Sequence, residues 1–152
     1  MQKNIVSKPK LAKQGKQKIE WVKRNMPILR QIEEDFRKHQ YFRGFRVLVC
    51  IHLEAKTAYL AKVLASGGAE VAVTGSNPHS TKDDVVAALA KEGLHVYARY
   101  GATPKEMQHY INLVLDVSTV LVNGKVLMGN YEVKSIDVKK TIRKGEHMGL
   151  IW

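Results

Sequence analysis

Cysteine is almost absent from this chain. The single Cys50 cannot close an internal disulfide, and no CxxC pair exists to hold a metal or run redox chemistry. Acid is scarce as well, with 14 Asp and Glu against 25 Lys and Arg and a formal net charge of +11. Aromatic residues make up 7% of the sequence. No apolar run approaches the roughly 18 residues of a membrane span, and the basic N-terminus has no apolar core of a secretory signal. GxGxxG, GxxxxGK[ST] and HExxH are all missing, and His39, His52, His79, His95, His109 and His147 fit no metal spacing. These gaps exclude a disulfide scaffold and a membrane span. They set the expectation of a cytoplasmic chain with no metal site and no nucleotide fingerprint. A length of 152 residues argues for one domain and against a large multidomain enzyme. It is enough to bury roughly two thirds of the surface the unfolded chain exposes.

What is present is uneven. Residues 1–24 carry eight bases (Lys3, Lys8, Lys10, Lys13, Lys16, Lys18, Lys23, Arg24) against Glu20 alone. Such an arm can grip nucleic-acid phosphates, or it can be a solvated terminus, and the absence of a nucleic-acid motif favours the second. Residues 1–14 are expected to form a disordered basic arm, residues 15–116 a domain, and residues 117–152 a hairpin with a basic tail.

Hydrophobic spacing gives the elements. Ile19, Val22, Met26, Leu29, Ile32 and Phe36 recur at steps of three and four, a helical stripe in which Pro27 predicts a kink or a restart. The run 46–51 is apolar and β-branched, read as a buried strand. A helix follows from about Glu54 to Ala65, then a strand over 70–74. The next helix, capped by Ser80 or Thr81, carries Asp83 and Asp84 in its first turn. The third strand is placed at 95–100, and Thr103 caps a further helix. This alternation predicts an α/β fold: a small three-layer parallel sheet of three to four strands with helices on both faces, preceded by a helix. Near the end, Asn123-Gly124 between two extended runs predicts a β-hairpin. The run 117–122 is expected to become the next parallel strand, with 125–128 folding back along it.

Ligands of such sheets lie beyond the carboxyl ends of the strands. Two loops occupy that edge. His52-Leu53-Glu54-Ala55-Lys56-Thr57 brings an imidazole, a carboxylate, an ammonium and a hydroxyl to a strand-to-helix turn, where His52 can act as acid or base near neutral pH. It is equally a loop histidine with solvated neighbours. The stretch 74–81 offers Asn77, Ser80 and Thr81, either for a polar ligand or as an ordinary turn and cap.

These stretches, with Gly68-Ala69-Glu70-Val71-Ala72-Val73-Thr74-Gly75-Ser76-Asn77-Pro78 and Ser80-Thr81-Lys82-Asp83-Asp84, closely resemble the start of adenosylhomocysteinase. The resemblance covers roughly residues 16–116. It implies a substrate-binding portion in which His52 matches the family's catalytic histidine. Glu54, Lys56, Thr57, Asn77, Ser80 and Thr81 then belong to the substrate site. Lys82 departs from the family's usual Gln. The ligand implied is a nucleoside or a homocysteine-containing small molecule, and the full-length family uses NAD. No cofactor is expected in this chain, because the glycine-rich NAD domain and the family's Asp-Asp-Gly-Gly segment are not among these residues. Lys56 stands where many members carry a carboxylate that accepts from adenine. An ammonium only donates, which suits the O6 acceptor of hypoxanthine and hints at S-inosylhomocysteine.

Residues about 112–142, around Val122-Asn123-Gly124-Lys125-Val126, are similar to the C-terminal hairpin of amidohydrolases of the adenosine and S-adenosylhomocysteine deaminase type. The leading reading is therefore an adenosylhomocysteinase-like chain, inactive alone and homo-oligomeric. A non-catalytic interaction module and a basic nucleic-acid binder are the alternatives.

Overall fold

Proline decides where the first helical stretch divides. The computed structural model describes residues 4–114 and the strand residues 120–122, 125–129 and 132–133. Helix α1 spans Ala12–Asn25, and α2 starts afresh at Pro27 and runs to His39. Pro27 sits at the first helical position, where a missing N–H costs nothing and the fixed φ fits. The buried residues of α1 are Ala12, Gly15, Ile19 and Val22, one face at steps of three and four.

Two βαβ units follow. Strand β1 (Arg46–Ile51) leads through α3 (Ala55–Ser66) to β2 (Glu70–Gly75), and β2 leads through α4 (Asp83–Lys91) to β3 (His95–Tyr97). The sheet is parallel in the order β1-β2-β3, with Val47 opposite Val71 and Val49 opposite Val73. Val49, Val71, Val73 and Val96 meet Ile19, Val22, Tyr59, Val63, Val85 and Leu89 in one core. Side chains alternate along a strand, so Ala72 and Thr74 face away from that core. Both are buried, and helix α5 (Pro104–Val114) packs against β2. Helices on both faces of a parallel sheet is the expected architecture. Thr103 opens α5 as anticipated, and the bond is reciprocal. Glu106 Oε2 accepts from Thr103 N at 2.8 Å, and Glu106 N donates to Thr103 Oγ1 at 3.3 Å. Arg99 clamps the same carboxylate, which holds Glu106 down at about 2.

Three expectations for the first 114 residues need correction. Residues 4–14 do not form a loose arm. Ile5 bridges parallel to Tyr97, Asn4 bonds Leu94 and Val96, and α1 already begins at Ala12. Ile5 pairs along the β3 edge and Val6 packs against the core. The third strand ends at Tyr97 rather than at residue 100, because the Tyr100 amide donates to Asp83 Oδ1 at 2.8 Å instead of joining a ladder. The cap residue of α4 is Lys82, since the hydroxyls of Ser80 and Thr81 both turn to the Asn77 carbonyl.

The chain divides into residues 1–116 and 117–152. In the second unit, β4 (Val120–Val122), β5 (Lys125–Gly129) and β6 (Glu132–Val133) form a separate antiparallel sheet. Strand β4 therefore does not extend the parallel sheet as expected. It pairs with β5 across a two-residue connection, the partner with the smallest loop to close. Asn123-Gly124 itself and the tail beyond 133 lie outside the described residues, as does the run 117–119.

Candidate functional site

The turn after β1 is fixed through its backbone. Ser76 N donates to the Ile51 carbonyl at 3.1 Å, and Lys82 N donates to the Leu53 carbonyl at 3.0 Å. The buried Leu53 side chain anchors the turn in the core. Thr57 Oγ1 donates to the His52 carbonyl at 2.6 Å, and Glu54 N donates to the same oxygen at 3.2 Å. The His52 main chain is thus held while its ring stays exposed.

The loop after β2 is shaped by Asn77. Its side-chain oxygen accepts from His79 N at 2.8 Å and caps the 3-10 turn Pro78–Ser80. Its main-chain oxygen accepts from Ser80 Oγ and Thr81 Oγ1, both at 3.1 Å. Thr81 lies over Gly75 so closely that a Cβ there would collide with the threonine hydroxyl. A larger residue at 75 would push the Thr81 hydroxyl off its bond to the Asn77 carbonyl.

Beside these backbone links, the two loops meet through side chains: His52 Nδ1 lies 2.6 Å from Ser80 Oγ. Of the residues proposed from sequence, His52, Asn77, Ser80 and Thr81 form one cluster at the carboxyl edge. Thr57 lies beneath it, 8% exposed, with its hydroxyl spent on the turn. Glu54, whose amide bonds the His52 carbonyl, and Lys56 border a different feature. With Gln14, Gln17, Trp21 and Val22 they line a cavity of about 480 Å³ between α1 and the start of α3. Sequence reasoning missed the α1 wall of this cavity. The one signal for it was Trp21, a large aromatic off the apolar stripe and 58% exposed in the fold.

Asp83 and Asp84 also do more than complement a helix dipole. Asp83 pairs with Lys8 at 3.0 Å and Asp84 with Lys18 at 2.6 Å. Burial opposes charge on Asp83, but hydrogen bonds from the Tyr100 amide, Lys8 and Ser7 outweigh it and hold its carboxyl below the ordinary range. With Lys23, which pairs with Glu33, three of the eight bases of the N-terminal stretch are committed to the fold, which weakens the case for a nucleic-acid arm. Among the described residues, no helix is long and apolar enough to cross a membrane.

The sequence model of the S-adenosyl-L-homocysteine hydrolase family matches residues 3–132. The chain belongs to that family. Among its curated relatives, the S-inosyl-L-homocysteine hydrolase of Methanocaldococcus jannaschii is 52% identical over 106 residues, which is 70% of this chain and 26% of the relative. The adenosylhomocysteinase of Pyrococcus abyssi is 49% identical over 107 residues, 70% of this chain and 25% of the relative. The S-inosyl-L-homocysteine hydrolase of Methanopyrus kandleri is 50% identical over 107 residues, again 70% and 25%. This S-adenosyl-L-homocysteine hydrolase family chain spans about a quarter of the length of the curated relatives it matches. The family match runs through β4 and β5, past the point near residue 116 where the sequence resemblance was placed.

Among the described residues, the two carboxyl-edge loops do not fit a dinucleotide. The β1–α3 turn has no glycine to let a pyrophosphate approach the backbone, and it sets the Glu54 carboxylate at the helix cap. The one glycine of the β2 loop is covered by Thr81.

Proposed function

We propose that this chain forms one wall of the binding site for a purine-nucleoside thioether of homocysteine, with His52 as the group that moves a proton. The observation that carries this reading is the His52–Ser80 bond, which joins both carboxyl-edge loops around an exposed imidazole. Membership of the family supports the ligand class, and its relatives include hydrolases named for both the inosyl and the adenosyl compound.

The base is the inosyl one. Lys56 presents an ammonium beside Trp21 at the α1–α3 cavity, and an ammonium donates to hypoxanthine O6 but has nothing to offer the adenine amino group. Trp21 supplies an exposed face for stacking. The cavity is open, so affinity is weak compared with a pocket that encloses its ligand.

Calorimetric titration of the 152-residue chain with S-inosylhomocysteine and S-adenosylhomocysteine tests this. The inosyl compound is expected to bind about tenfold more tightly, and Lys56→Glu to reverse the order. His52→Ala should weaken both. No heat with either compound, or binding indifferent to both substitutions, refutes the reading. The chain by itself is expected to release no homocysteine above a protein-free control, with or without added NAD, because its two carboxyl-edge loops do not cradle a dinucleotide.

A further inference from the structure

We infer that Ser80 is a positioning residue that holds neutral His52 in the Nδ1–H tautomer and leaves Nε2 as the bare, outward base. The family resemblance places Ser80 in the substrate site. The geometry gives it a different task.

Ser80 has one hydroxyl proton and two neighbours within hydrogen-bond distance. One is His52 Nδ1 at 2.6 Å, the other the Asn77 main-chain oxygen at 3.1 Å. A carbonyl oxygen can only accept. If the Ser80 proton pointed at Nδ1, its oxygen would face the Asn77 oxygen at 3.1 Å with no proton between two acceptors. If the proton points at Asn77, the Ser80 oxygen is free to accept, and Nδ1 must then be the donor. The chain runs Nδ1–H to Oγ–H to O=C, and each bond polarises the next. The protonated imidazolium uses the same arrangement, because it also donates through Nδ1. The ring therefore gains and loses its proton at Nε2 without any rearrangement of Ser80 or Asn77.

The relay is rigidly placed. The Asn77 side chain caps the 3-10 turn that carries Ser80, and Thr57 and Glu54 N–H fix the His52 carbonyl on the other side. Histidine in water prefers the Nε2–H form, so the inference runs against the intrinsic tendency of the ring and is open to measurement.

The experiment is nitrogen NMR of the histidine side chains in the intact chain, at a pH where all rings are neutral. In the wild type, His52 is expected to show a protonated Nδ1 and an unprotonated Nε2. In Ser80→Ala the majority should move to Nε2–H, and Ser80→Thr, which keeps the hydroxyl, should restore the wild-type pattern. His79, which has no bond to Ser80 Oγ, serves as the internal control and should not change. A wild-type His52 in the Nε2–H form overturns the inference, and so does a Ser80→Ala chain that retains Nδ1–H. Should Ser80→Ala fail to fold, the wild-type tautomer and the Ser80→Thr spectrum decide it. The inference rests on the proposed function only for what the bare Nε2 does. No ligand is needed to read the tautomer, so failure to bind a nucleoside and failure of the relay are separate results.

Discussion

Gly15→Ala is expected to destabilise the chain by about 3 kcal/mol, although alanine is the better helix former by about 1 kcal/mol. Gly15 lies on the buried face of α1, where the helix crosses the first turn of α4. A Cβ there would fall well inside contact with the Asp84 carbonyl and 2.9 Å from the Val85 amide nitrogen. All of these are backbone atoms, so no side chain can swing aside. Helix α1 would have to lift from α4, loosening Ile19 and Val22 from the core and stretching the Lys18–Asp84 ion pair. Urea unfolding followed by circular dichroism gives the answer. A midpoint equal to or above that of the parent chain would show that α1 and α4 do not approach this closely in solution.

The second large effect centres on Glu33. This carboxylate is 5% exposed, yet it belongs to α2 and not to any sequence motif. Lys23 Nζ lies 2.9 Å away, Arg37 Nη2 2.7 Å, and the buried Tyr59 hydroxyl donates to it at 2.8 Å. It therefore ties α1, α2 and α3 together. Burial alone would raise its titration point, but the bonds from Lys23 and Tyr59 and the charges of Lys23 and Arg37 outweigh burial and lower it. A carboxyl lowered in the folded state adds stability that is complete above its unfolded value near 4.5 and disappears as pH falls through the lower folded value. Glu33→Ala should cost about 2–3 kcal/mol at neutral pH, since it strands the Tyr59 hydroxyl and two cations. Glu33→Gln keeps the shape and removes the charge, so the gap between it and the parent should narrow as pH drops below 4.5. A gap that stays constant down to acid pH would mean that Glu33 acts by packing alone.

Local signals in the sequence located most elements well. The β-branched run 46–51 is β1 residue for residue, and Pro27 is a helix start. Both depend on physics that a short window contains: side-chain branching in one case, a missing N–H in the other. The errors came where a distant group intervened. Asp83 took the Tyr100 amide and shortened β3, and Asn4 with Ile5 found β3 from the far end of the chain. The same division runs through the site. The strand-to-loop junctions were visible in the pattern, and so were the chemical types of His52 and Ser80. Their 2.6 Å contact was not, because it joins residues 28 apart in sequence. Nor did spacing reveal that Glu54 and Lys56 share a cavity with Trp21 of α1 rather than the His52 cluster.

The pairing of the N-terminal segment with β3 carries a consequence for how the chain is made. Asn4 bonds Leu94 and Val96 across separations of 90 and 92 residues. Closing a loop of that length costs about 4 kcal/mol of chain entropy before any contact repays it. During synthesis α1 leaves the ribosome early, while α4 and β3 are still unmade. The β1–α3–β2 unit, whose contacts are local, is free to form in the meantime. Residues 4 and 5 are therefore secured only once β3 has been made, after α1 has been able to meet α2 and α3.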